Sequence, residues 1–164
     1  MLASGTNGIV VNVASTDVVI LEGLDIEGIG TGINGVQIVG TGSTIIRRSL
    51  IHHFTGNGIN LVGTAGAKVL VQDCVISNNG GGVNVQGANG VANTAVIDHS
   101  TIETHTNFAF QIGQGGAGFI SLTNLIGSGP KVVLTGSPVG VITTYGNNVI
   151  RGTSATLPPV TPLQ

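Results

Sequence analysis

The chain has 164 residues, room for one domain with a sizeable core, and only 7% of them are charged, with 3% aromatic and no Trp. A net charge of −2 leaves no electrostatic footprint for nucleic acid, and one Cys excludes an internal disulfide framework. Hydropathy comes from many short Val/Ile runs separated by 28 Gly and by Asn, Ser and Thr, none long enough to span a bilayer, so no membrane insertion is expected.

The first predicted element is the run "GIVVNV" (8–13), followed by "VVILEGLDIEG" (18–28) and "GVQIV" (35–39). The same order then recurs. "STIIRRSLIHH" (43–53) is followed by "GINLV" (58–62), and "KVLVQDCVISN" (68–78) by "GVNVQ" (82–86). After "TAVIDHSTIET" (94–104) comes "AFQIG" (109–113), and after "TNLIGS" (123–128) comes "KVVLT" (131–135); "NNVIRG" (147–152) closes the series. Ile26, Ile51, Ile76, Ile102, Ile126 and Ile150 are then spaced by 25, 25, 26, 24 and 24 residues. A fixed period of this size is the signature of a stacked repeat.

Each repeat holds two or three short strands and no helical periodicity, since Val, Ile, Thr and Gly dominate over good helix formers. The period exceeds the 18 residues of three hexapeptides. The expected fold is therefore all-β: a right-handed parallel β-helix, a solenoid of about six coils with ~25 residues per coil, stacked at ~4.8 Å. The expected organisation is a single β-helix domain over 1–152 and an extended, proline-bearing tail over 153–164 that packs on or caps it.

Columns of the stack follow from the period. Five residues before the shared isoleucine stand Leu21, Ile46, Val71, Ile97, Ser121 and Tyr145, and seven before stand Val19, Thr44, Val69, Ala95, Phe119 and Thr143, both columns facing in. Phe110 and Phe119 are also assigned inward. Between them, Ile20, Ile45, Leu70, Val96 and Ile120 form an aliphatic stripe that faces out and reads as an interface. Either the tail covers it or a second chain does, and an uncapped terminal rung offers another route to a homo-oligomer. On the second strand, Gln37, Asn60, Asn84 and Gln111 make an outward amide ladder, structural in the first instance and a polar groove for sugars in the second.

Cys74 shares a corner column with Leu24, Ser49, Ser100, Asn124 and Asn148, which reads as a buried thiol rather than a nucleophile. Asn78, Asn79 and Gly80 to Gly82 beside it read as corner residues that tolerate left-handed backbone angles. The matches to G-x-G-x-x-G, "GTGING" (30–35) and "GQGGAG" (113–118), lead into further β-runs and lack the helix that would present its N-terminus to a pyrophosphate.

The repeats "VLVQDCVISNNGGGVNV" (69–85) and "STIIRRSLIHHFTGNGINL" (43–61) resemble right-handed parallel β-helix repeats of the pectate-lyase-like superfamily, over nearly the whole chain. The likeness is to plain bacterial members of unassigned activity, secreted or at the cell surface, whose upstream coils have no counterpart here; this implies an N-terminally truncated or engineered chain. The resemblance implies the fold and little about activity.

Lyases of that superfamily place clustered acids around Ca²⁺ with an arginine base. This chain has seven acids, and they fall in mixed-sign columns: Glu22, Arg47, Gln72, Asp98 and, one residue on, Arg48, Asp73, His99. Arg47 is expected to pair with Glu22 and Arg48 with Asp73. No catalytic set is assigned; Arg48, Asp73, Asp98 and His99 come nearest to one. A second cluster just past the shared isoleucine holds Asp25, Glu27, His52, His53, Glu103 and His105. No metal centre or cofactor is assigned there either, and Glu27, His52 and His53 come nearest to a set that captures Zn²⁺ or Ni²⁺. The functional expectation is a non-enzymatic, self-associating scaffold. The alternative is a carbohydrate-active enzyme, a polysaccharide lyase or glycoside hydrolase, or a glycan-binding module with a polysaccharide partner.

Overall fold

The computed structural model describes residues 1–63, 66–87 and 91–152. They form six coils of three strands. The first coil runs through β1 (Ile9–Val11), β2 (Val18–Glu22) and β3 (Asp25–Gly32), and the second through β4 (Val36–Ile38), β5 (Ser43–Arg47) and β6 (Leu50–Phe54). The third has β7 (Asn57–Leu61), β8 (Lys68–Gln72) and β9 (Val75–Ser77); the fourth β10 (Gly81–Gln86), β11 (Thr94–Asp98) and β12 (Thr101–Glu103). The fifth has β13 (Phe108–Gly113), β14 (Ala117–Ser121) and β15 (Asn124–Ile126), and the last β16 (Val132–Thr135), β17 (Val141–Thr144) and β18 (Val149–Arg151).

Each strand pairs in parallel with its equivalent one coil away, giving three six-stranded sheets. Sheet I is β1-β4-β7-β10-β13-β16, sheet II is β2-β5-β8-β11-β14-β17 and sheet III is β3-β6-β9-β12-β15-β18. This is the all-β parallel solenoid with a period near 25 that the repeats predicted. Both glycine-rich stretches lead directly into strands, β4 and β14. The tail over 153–164 lies outside the described residues.

The core is a set of stacked identical contacts. Ile26, Ile51, Ile76 and Ile102 on sheet III are fully buried. They pack on a column of glycines at the start of sheet I: a Cβ on Gly8, Gly35, Gly58 or Gly82 would collide with the Cγ2 of Ile26, Ile51, Ile76 and Ile102 respectively. The repeated isoleucine and the repeated "G-I/V" are therefore two halves of one contact. This corrects the reading of Gly80 to Gly82: none of the three takes a left-handed angle, Gly81 and Gly82 sit in a strand, and all three are glycine for space rather than for backbone angle. Asn78 does take the left-handed angle, with φ 54°, but Asn79 does not. Its side chain turns inward, accepting from the Phe54 N–H at 2.9 Å and donating to the Ile51 carbonyl at 3.1 Å. His105 occupies the same kind of slot one coil later, its ring nitrogens 3.1 Å from the Ile76 carbonyl and 3.3 Å from that of Asn79.

Cys74 is 1% exposed, its thiol pointing at the Gln72 and Ile46 carbonyls. Burial pushes the thiol up from its ordinary value, the Asp73 charge adds to that, and backbone hydrogen bonds with Ser49 and Gln72 only partly oppose it. The hydroxyls of Ser49 and Ser100 do the same job in their own coils, each donating to the carbonyl two residues before it and accepting the corner N–H of the preceding coil. Shape and hydrogen bonding explain this residue fully.

One register assignment changes. Ile102 pairs with Leu125, not Ile126, and Leu125 with Ile150. The step from Ile102 to Leu125 is 23 residues, against 26 before it and 25 after it, and because strand alternation has a period of two, a slip of one from Ile126 to Leu125 exchanges the faces. Thr123 rather than Asn124 then fills the corner column, and Ile120 is fully buried. Phe119 takes the outward place between Val96 and Thr143, Ser121 stands outward beside Asp98, and in the last coil Ile142 and Thr144 turn inward in place of Thr143 and Tyr145. Ile120 therefore drops out of the stripe and Phe119 joins it.

Candidate functional site

The densest group of ionisable side chains lies on sheet III at the first two coils. Glu27 and His52 are paired across β3 and β6, so their side chains leave the sheet together. His53 follows His52 directly, and in a regular strand it would point the other way. A φ of 57° breaks the alternation: Ile51 and Phe54 are buried while His52 and His53 both face outward. Opposite them, β3 carries a bulge between Glu27 and Gly32. Gly28 within it has no room for a Cβ beside the Phe54 ring, and Ile29, at φ 46°, donates its N–H to Glu27 Oε1 at 2.9 Å.

The resulting geometry is tight. His52 Nδ1 lies 2.9 Å from Glu27 Oε2, His53 Nδ1 2.9 Å from Glu27 Oε1, and the two Nδ1 atoms 3.1 Å apart. His52 Nε2 is 2.8 Å from Asp25 Oδ1. Burial acts to raise the Glu27 carboxyl, but the His53 hydrogen bond, the Ile29 N–H and the charges on both histidines together hold it below the usual carboxylate value. His52 is the most enclosed of the set, at 16% side-chain exposure, while His53 is half exposed. Glu27, His52 and His53, as the sequence suggested, are thus brought together, with Asp25 behind them. Glu103 and His105 are not part of the group: Glu103 lies two strands beyond His52 with Ser77 between, and His105 is buried in the core.

The other candidates are spread along the corner between sheets II and III. Arg48, Asp73 and His99 occupy successive left-handed positions, with φ of 49°, 53° and 46°. Arg47 pairs with Glu22 at 2.7 Å, as expected, but Arg48 also goes to Glu22, not to Asp73. Its long stem reaches back one coil to the acid already facing Arg47. His99 meets Asp98 at 2.9 Å, and Gln72 donates to Asp98 at 3.5 Å. A shallow groove touches Asp25, Arg48 and Asp73. Among the described residues these acids are each engaged with or separated by cations, an arrangement that ties a sheet edge together and brings no carboxylates there into a converging set for Ca²⁺.

On sheet I the amide ladder is continuous: Asn60 donates to Gln37 at 2.8 Å, Asn84 to Asn60 at 2.7 Å and Gln111 to Asn84 at 3.3 Å. Gln86 adds a bond to Asn84. On sheet II the stripe of Ile20, Ile45, Leu70 and Val96 faces outward, with Ile20 at 54% exposure. Ser43, Lys68 and Thr94 border it on one side, and a shallow apolar depression runs along Ile45, Leu70 and Val96.

Searched against family models, curated proteins and solved structures, the chain matches none of them.

Proposed function

We propose that the protein is a non-enzymatic structural scaffold that self-associates through the outer face of sheet II, two copies meeting stripe to stripe. The right-handed, pectate-lyase-like form of the solenoid and an origin in a secreted or surface bacterial protein belong to the same proposal. The carrying observation is the stripe itself: Ile20, Ile45, Leu70, Val96 and Phe119 lie one above another and face out. Stacked branched side chains on a flat sheet are an unusual thing to leave in water.

A second copy of the chain suits this face for two reasons. Its charged outward residues are Glu22, Asp98, Arg47 and Lys68, two of each sign, so the face meets itself without net repulsion. A twofold pairing also sets one apolar column on its own equivalent, which is the isologous arrangement of common dimers. Six strands ~4.8 Å apart and five residues long make a face of roughly 400 Å². Two such faces bury on the order of 800–1,000 Å², the range of weak, concentration-dependent contacts. The amide ladder of sheet I supports glycan reading less well, because its donors and acceptors are spent on one another.

The test is solution mass by light scattering over a range of concentrations, with Leu70→Asp beside the parent. Leu70→Asp places an unpaired charge in the centre of the contact, where its burial is costly. Association in the parent that is lost in a folded Leu70→Asp supports the scaffold reading. A parent that stays monomeric at every concentration sinks it.

A further inference from the structure

We propose that Glu27, His52 and His53 form a binding site for a divalent transition-metal cation of the Zn²⁺ class, with Asp25 as a positioning residue. The site is on sheet III, away from the self-association face, and stands independently of it.

Three ligand atoms converge on one point, and a carboxylate stands behind one of them. Both ring nitrogens of His52 face carboxylates, Nε2 towards Asp25 at 2.8 Å and Nδ1 towards Glu27 at 2.9 Å. A metal ion takes the place of a proton on Nδ1, and the one N–H that a metal-bound imidazole keeps, on Nε2, is donated to Asp25. The Nδ1 lone pair then points into the same space as Glu27 Oε2 and His53 Nδ1. A cation among these three atoms is coordinated by all of them. The carboxylate–histidine pair behind it is the arrangement that fixes the tautomer and raises the basicity of a metal-bound imidazole.

Spacing and chemistry agree. The three ligand atoms, His52 Nδ1, His53 Nδ1 and Glu27 Oε2, lie 2.9, 3.2 and 3.1 Å apart. Bonds of about 2.0–2.1 Å in a tetrahedral site give edges of roughly 3.3 Å, so a few tenths of an ångström of opening admits the ion. Two imidazole nitrogens and one carboxylate oxygen form a donor set for Zn²⁺, Ni²⁺ or Cu²⁺, whereas Ca²⁺ and Mg²⁺ need oxygens. The Ile29 N–H holds Glu27 Oε1 and leaves Oε2 on the metal side. Half-exposed His53 marks the side from which an ion and a water in the fourth position enter.

Calorimetric titration of the full chain with ZnCl₂, and separately NiCl₂, tests this. The expected result is one ion per chain. His53→Asn and Glu27→Gln are expected to weaken binding at least about tenfold; Asn tolerates the left-handed backbone at position 53, so folding is kept. Asp25→Asn is expected to weaken it by roughly tenfold as a second-layer group. It should also shift the visible absorption of the Co²⁺-loaded protein, which a merely structural role leaves unmoved. His99→Asn, remote from the cluster, should bind as the parent does. No saturable binding by the folded parent, or an equal loss in His99→Asn and His53→Asn, overturns the proposal.

Discussion

Asn79 is the side chain whose removal most directly tests how the coils are held in register. It sits at 2% exposure and makes two hydrogen bonds to the preceding coil, one to the Phe54 N–H and one to the Ile51 carbonyl. Asn79→Ala leaves a buried donor and a buried acceptor with no partner, at about 1–3 kcal/mol each. Water entering the vacated space recovers part of this, so the expected loss is about 2–4 kcal/mol, a large fraction of a small domain's stability. The matched control is Asn78→Gly. Asn78 is exposed with φ 54°, an angle glycine adopts without strain, and the change is expected within about 0.5 kcal/mol of zero. Urea unfolding followed by far-UV circular dichroism reads both, since the chain has no Trp. A loss below about 0.5 kcal/mol in Asn79→Ala, or an equal loss in both variants, would refute the reasoning.

Three further outcomes follow from the same contacts. Thr44 is buried in the inward column and its hydroxyl has no hydrogen-bond partner, so Thr44→Val is expected to raise the urea midpoint, by about 1 kcal/mol or more in stability. Cys74→Ser should change stability by less than about 1 kcal/mol, because Ser49 and Ser100 fill that corner elsewhere, and the native thiol should resist alkylation until the protein unfolds. Burial pushes His105 below the ordinary imidazole value, and the Lys131 charge adds to this against the pull of two carbonyls. The unfolded chain therefore binds the extra proton, and stability must fall as pH drops below about 6.5. Glu27, held low, adds a loss of the same sign as pH falls further, through its folded value. His105→Asn, the residue that fills this slot at position 79, should flatten the change in urea midpoint between neutral and mildly acid pH relative to the parent.

The architecture was legible because one packing contact, isoleucine on glycine, recurs in successive coils and leaves its period in the chain. The fifth coil was not, since Phe119 and Ile120, like Leu125 and Ile126, are adjacent apolar residues. Nothing in their chemistry says which of each pair turns inward; the register of β14 and β15 decides it. The column that joins Glu27 to His52 could be counted from the repeat. That His53 shares their side could not, because it depends on one left-handed residue and on a bulge in the coil before it. Arg48 bonds to Glu22 rather than to Asp73 of its own column for a related reason: an arginine at a turned corner is long enough to reach across to the neighbouring column.

Self-association through sheet II is read most directly by a cross-link in the middle of the stripe. In a Cys74→Ser background, Leu70→Cys places a single thiol on the outer face of sheet II, beside Ile45 and Val96. A symmetric disulfide-linked dimer is expected to form under mild oxidation, faster as protein concentration rises, and to be suppressed by a second change, Ile45→Asp. A thiol that stays monomeric and equally open to alkylation at all concentrations would contradict it.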